Sequence, residues 1–429
     1  MSRTGTKPHQ GGEPKSRVEK ALGVLGPGLV TGAADDDPSG IATYSQVGAQ
    51  FGYGLAWTMF FGFPLLASIQ AICARIGVVT GKGIAQNLRA HYPVALLRVV
   101  VILLLIANTI NLAADLGAMG AALGLLVPGP VLLWTCLFGI ASILAEIFIS
   151  YDRYARILKW TTLSLFSYVA VVFVAHVPWA EAIRGTLVPH FQFDKVHAMA
   201  LVAVLGTTIS PYLFFWQAGQ EVEEQHRRHV KPLHVAPKRA GDELRRIRID
   251  TLVGMGFSHL IALMIVIATA ATLNANGITH VDSAAEAASA LRPVAGDFAF
   301  ALFALGIIGT GLLAVPILAG SAAYAVSETF GWTEGLRRKP REAKAFYATI
   351  AVATLGGLAL NLIDIDPMTA LYWAAVINGS LAAPLMIVVM LIASNKRVMG
   401  DFAIKGGLRI GGWIATAVMG AVTLMFFAS

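Results

Sequence analysis

The chain has 429 residues, of which 56% are apolar and only 13% charged. No water-soluble domain of this size needs so large an apolar fraction, so the composition excludes a soluble globular protein and points to one that lives in a bilayer. The net charge of +7 does not by itself call for a nucleic-acid partner, because in a membrane protein the placement of basic residues matters more than their sum.

Residues 1–19 are polar, basic and rich in Gly and Pro, with no short apolar core followed by a small-residue cleavage site. They read as a disordered cytoplasmic tail, and residues 20–428 as a single transmembrane domain. Apolar segments near the twenty residues that cross ~30 Å of hydrocarbon recur at 20–50, 54–79, 95–126, 131–150, 156–176, 197–222, 249–273, 298–328, 345–362, 367–394 and 406–428. Eleven spans place the termini on opposite sides. With the N-terminus inside, only Arg184, Lys195 and Arg292 of the 32 basic residues fall outside, a bias that follows the positive-inside rule. The expected orientation in a cell inner membrane is therefore N-in and C-out, and the basic stretch Gln225 to Arg248 reads as a solvated loop that sets it.

Two spans are interrupted. The first contains GPGLVTGAADDDPSG, with Asp35, Asp36 and Asp37 followed by Pro38, Ser39 and Gly40. The sixth contains GTTISPY, with Thr207, Thr208 and Ser210 ahead of Pro211 and Tyr212. Proline removes an amide donor and clashes with the preceding turn. Each is expected to end a half-helix and leave carbonyls free as ligands, which is tolerated in a membrane only where the backbone lines a protein cavity. Spans one and six are the first members of two five-span halves (about 20–176 and 197–394, with 406–428 as an added helix). An odd number of spans per half inverts the second copy, which is the pattern of inverted-repeat transporters. Three carboxylates within a span are costly enough that function is the default reading. The spans offer few basic partners, so the expected counter-charge is a substrate cation.

Elsewhere in the spans, Asp115 sits among small residues that permit close helix approach, as a further carboxylate near the site. Cys73 and Cys136 read as packing residues, and so does His259. Gln217, Gln220, Glu221, Glu223 and Glu224 extend span six towards the cytoplasm, either as an acidic exit vestibule or as a solvated helix end.

At these motifs, and at IANTINLAADLGAMG in span three, the sequence resembles the NRAMP family of divalent-metal transporters from about Gly26 to the end. The resemblance implies an all-α membrane fold of the LeuT type: a five-plus-five inverted repeat with eleven transmembrane helices, helices one and six broken. It also implies a metal site at Asp37 and Asp36, the carbonyls of Ala34 and Thr207, and the positions of Gly40, Ser210 and Tyr212, with Asp115, Asn378 and Gln217 as further contributors. The departures from the family pattern point one way. Gly40 stands where the family has Asn, Ser210 where it has Met, Tyr212 where it has His, Val376 near its ligand-associated Gln, and Ala118 where a proton-pathway Glu is expected.

Loss of the thioether removes the softest ligand, and oxygen donors suit magnesium, calcium or manganese. Magnesium dehydrates reluctantly and keeps several waters, and Gly40 is expected to widen the site. The best-fitting branch is the NRAMP-related magnesium transporters. The expected activity is uptake of a divalent cation, hydrated Mg2+ or else Mn2+, by alternating access and without proton coupling, because Ala118 and Tyr212 break the titratable chain. The partners are the metal ion and the lipid bilayer, with no cofactor and no nucleic acid. The alternatives are a proton-coupled Mn2+/Fe2+ symporter of the ordinary NRAMP type and, below it, a sodium-coupled organic-solute transporter, whose substrate carboxylate the acidic triplet would repel. An intramembrane aspartyl protease with Asp37 and Asp115 as its pair is the lowest alternative, disfavoured by the lack of a mid-span Gly-x-Gly-Asp motif.

Overall fold

In the computed structural model, residues 26–149, 166–192, 194–281, 284–362 and 367–428 are described. The expected tail, Arg153 to Lys159 and the beginning of span five lie outside them. The first span is split into α1 (Pro27–Asp35) and α2 (Pro38–Phe51). There follow α3 (Trp57–Thr80), the short α4 (Ile84–His91), α5 (Val94–Leu126), α6 (Val131–Phe148), α7 (Phe166–Val174) and the amphipathic α8 (Trp179–Leu187). The sixth span is split into α9 (Lys195–Thr208) and α10 (Pro211–Arg227). The chain continues through α11 (Ala240–Thr272), α12 (Ala284–Phe330), α13 (Lys344–Leu360), α14 (Pro367–Ser394), the short α15 (Lys396–Met399) and α16 (Gly406–Ala428).

Among the described residues eight helical segments are long and apolar enough to cross a membrane, the broken sixth span counted as one, with the broken first span and the 17-residue α13 falling below that length. The expected loop Gln225 to Arg248 is shorter than its polar sequence implied. Helix α10 runs to Arg227 and α11 starts at Ala240, because Glu243 pairs with both Arg246 and Arg228 and supports helix beyond the apolar stretch.

Both breaks have the same backbone. Asp36 (φ −87°, ψ 51°) and Ile209 (φ −112°, ψ 55°) close the first half-helices, and Asp37 (φ −69°, ψ 171°) and Ser210 (φ −71°, ψ 128°) are extended. A proline at the first helical position then restarts each helix. Proline therefore opens the second half-helix at each break and does not end the first: its fixed φ suits position N1, its missing N–H is not needed there, and it forces the preceding residue out of the helical region.

The interior is divided at this level. One apolar cluster, with Val79, Leu88, Leu233, Ile247 and Phe346, fills the end of the bundle that carries the basic loops. A second, with Tyr44, Leu55, Val266 and Leu273, fills the other end. Side chains such as Phe60, Val99, Ile102, Leu137 and Ile140 are exposed and form the face that hydrocarbon covers.

Candidate transport site

The polar layer between the clusters is built on the two breaks. Asp35, Asp36 and Asp37 are 0%, 0% and 1% exposed. Asp37 caps α2, its Oδ1 accepting from the Gly40 amide at 2.7 Å and the Ser39 hydroxyl at 2.7 Å. The Ser39 hydroxyl also lies 3.4 Å from Thr207 Oγ1, which ties α2 to the end of α9. Asp35 accepts from Ser258 on α11 at 2.6 Å, and Asp36 shares that hydroxyl at 3.5 Å. One oxygen on each of Asp35 and Asp36 has no hydrogen-bond partner, and among the described ion pairs none involves the triplet. Asp36 does not face a vestibule, as a simple 100° helical turn would suggest. The chain leaves the helix at Asp36 itself, and the side chain stays inside.

The two carbonyls expected as ligands are each capped by a hydroxyl. Tyr212 donates to the Ala34 carbonyl at 2.9 Å, and Ser210 donates to those of Thr207 at 2.8 Å and Gly206 at 3.0 Å. Gly40 does not widen the site. A Cβ there would lie 3.3 Å from the Asp35 carbonyl, Thr207 Oγ1 and the Tyr44 ring alike, so the glycine permits close approach of the two broken helices. Asp115 on α5 is fully buried with both oxygens unpartnered, within electrostatic range of Asp37. One turn earlier, Asn111 forms a reciprocal amide pair with Asn378 on α14, at 2.9 and 3.0 Å. Gln217 accepts from Thr31 at 2.5 Å, joining α10 to α1.

Ser258 and Tyr44 belong to this layer and were not found by sequence reasoning. A lone serine in an apolar span carries no signal until its neighbour across the bundle is known. The same holds for Asp250, which accepts from the backbone amides of Gly26 and Gly28 at 2.8 Å and Leu29 at 3.1 Å and so caps α1 from α11.

Among the described residues no three His, Cys, Asp or Glu side chains converge tightly enough to grip a bare ion. The arrangement can hold a cation through part of its water, with Asp37 and the free oxygens of Asp35 and Asp36 as anionic acceptors.

Two helices broken alike at corresponding positions, around a buried polar layer, define an inverted-repeat membrane protein of the LeuT type. The fold is similar to that of a manganese transporter from Eremococcus coleocola (TM-score 0.76, 15% identity, 96% of this chain and 88% of that one). It is also similar to that of MhsT, solved in complex with L-phenylalanine (TM-score 0.61, 14% identity, 93% and 98%). Fold alone thus leaves the cargo open. The family model described as "Nramp: Natural resistance-associated macrophage protein-like" matches residues 28–429, and the chain belongs to that family. A relative in Klebsiella pneumoniae, the "Divalent metal cation transporter MntH", is 27% identical over 409 residues, 93% of this chain and 92% of its own length.

Proposed function

We propose that the chain carries a divalent metal cation, hydrated Mg2+ or else Mn2+, into the cell by alternating access and without proton symport. The observation that carries this reading is the buried acidic triplet at the first break, which forms no ion pair with a basic side chain among the described residues, together with Ser210 and Tyr212 at the second break, where the resemblance places a thioether and an imidazole. An oxygen-only donor set favours hard ions, and unpaired carboxylates in a membrane call for a cationic cargo. The names of the curated relatives support the divalent class. No cofactor is needed beyond the cargo. A divalent ion moving inward gains about 4.6 kcal/mol per 100 mV, twice the single-charge value, so membrane potential alone can drive accumulation. The chain sits in the cell inner membrane with its N-terminus inside and its C-terminus outside, as the basic loops direct.

The test is uptake into proteoliposomes with competing metals and an internal pH dye. Mg2+ entry with flat internal pH is expected, and failure of Mg2+ to enter or to compete overturns the selectivity. Proton-coupled Mn2+/Fe2+ symport is the second reading, favoured by Asp115, whose two unpartnered oxygens lie within range of Asp37. Acidification that scales with metal influx and disappears in Asp115→Asn would establish it.

A further inference from the structure

Helix α16 packs on α3 and α14 through one face. A Cβ on Gly411 would lie 2.6 Å from the Ser68 hydroxyl, and one on Gly412 would lie 2.5 Å from both Ile72 and Met390. Further along, Thr423 donates to the Gly379 carbonyl at 3.3 Å. The opposite face carries Arg409, Ile410, Trp413, Ile414 and Ala417, all exposed, at the three- and four-residue spacings that align side chains along one side of a helix. With Gly406 they line a shallow groove of about 540 Å³. The groove is cationic at Arg409 and aliphatic or aromatic from Ile410 onward.

The cationic end extends beyond one residue. The Ile404 amide donates to the Ala393 carbonyl at 3.0 Å, and Arg75 on α3 donates from Nε to the Phe402 carbonyl at 2.9 Å. These bonds fold the turn between α14 and α16, so Lys405 returns beside the end of α14, where Lys396 and Arg397 begin α15. Residues 395–417 hold four basic side chains against one acid, Asp401. Lys396, Arg397, Lys405 and Arg409 are all exposed, and none of them enters an ion pair among the described residues.

We propose that this groove binds an anionic phospholipid, its phosphate held by Arg409 and Lys405 and an acyl chain laid along Ile410, Trp413 and Ile414. Basic side chains at the end of a membrane helix attract acidic headgroups, and a guanidinium grips phosphate through paired hydrogen bonds. Trp413 stands one turn deeper than Arg409, and a tryptophan favours the level where headgroup gives way to hydrocarbon. Charge at one end and apolar surface along the rest of a single groove complement one amphipathic molecule. A second copy of the chain fits worse. In a two-fold dimer this face would meet itself, which brings Arg409 against its own counterpart. The inference rests on the membrane-spanning fold and is independent of the cargo.

The experiment is native mass spectrometry of the purified full chain from mixed micelles of phosphatidylglycerol and phosphatidylcholine. The wild type should retain one phosphatidylglycerol in preference to phosphatidylcholine, and excess inorganic phosphate should not displace it. Arg409→Gln should lower that preference about five-fold, and Arg409→Gln with Lys405→Gln about 25-fold, the effect of roughly 1 kcal/mol per basic group near a headgroup. Lys405→Gln alone, ahead of the helix, should also lower it about five-fold, which keeps the test valid if the Arg409 variants fold poorly. Arg341→Gln with Lys344→Gln removes two charges from another basic loop and should change nothing. The inference is overturned if the two lipids are retained alike, or if this control pair lowers the preference as much as the Arg409 and Lys405 pair. It is also overturned if inorganic phosphate displaces the lipid, which would leave an anion site only. A dimer that retains no lipid and that Trp413→Ala breaks would assign the face to a second copy and overturn it as well.

Discussion

Asp37 does two jobs with one carboxylate: it caps α2 through Oδ1 and offers negative charge to the polar layer. The two separate by substitution. Asp37→Asn keeps a good N-cap and removes the charge, so it should abolish divalent-cation uptake with thermal stability near that of the wild type. Asp37→Ala should also abolish uptake and in addition cost about 1 kcal/mol, the usual value of a lost cap. Uptake measured beside thermal unfolding checks both, and wild-type rates in Asp37→Asn would overturn the site. Asp36→Asn, which still shares the Ser258 hydroxyl, should weaken transport less. Ser210→Met removes the hydroxyl that caps the Thr207 carbonyl and supplies a polarizable sulfur. It should shift competition towards Mn2+ and Cd2+, and an unchanged metal order would show that Ser210 does not face the ion. Adding Gly40→Asn is not a simple completion of the shell, because its Cβ would press on the Asp35 carbonyl.

At the scale of elements, α1 is held by specific contacts from α10 and α11. It is secured by the Asp250 carboxylate over its first amides, by Thr31 to Gln217, and by a backbone approach so close that a Cβ on Gly32 would lie 2.2 Å from the Gly254 carbonyl. A carboxylate at a helix N-terminus satisfies orphan donors and the helix dipole together. Asp250→Ala should therefore loosen this end, and a cysteine placed at Val30 should be alkylated from the loop side several-fold faster in that background. Equal rates would show that Asp250 does not hold the inner end of α1. Gly32→Ala should lower stability more than a surface change, because the clash is with backbone. The positions of both broken helices were readable from Pro38 and Pro211, since proline acts locally. The Gly28, Gly32 and Gly254 contact was not: glycines are too frequent in this chain, with 43 in all, for any one spacing to stand out.

For the whole molecule, cargo flux should follow the electrical gradient. In proteoliposomes with an inside-negative potassium diffusion potential, Mg2+ uptake should rise with potential in the absence of any pH gradient. Uptake that ignores potential but follows a pH gradient would favour the symport reading.

The sequence by itself determined that the chain lives in a membrane, where its helices lie, where two of them break and that an acidic triplet sits at the first break. Bilayer thickness, the cost of an unsatisfied backbone and the geometry of proline act on contiguous residues, so they leave local marks. Only the tertiary structure decided which groups meet across the bundle: Ser258 on the triplet, Tyr212 and Ser210 on the freed carbonyls, Asn111 with Asn378, and Asp250 over α1. Each of these contacts joins residues far apart in the chain through single polar side chains. A lone polar residue in an apolar helix has no periodicity to betray its partner, and the partner is set by helix packing.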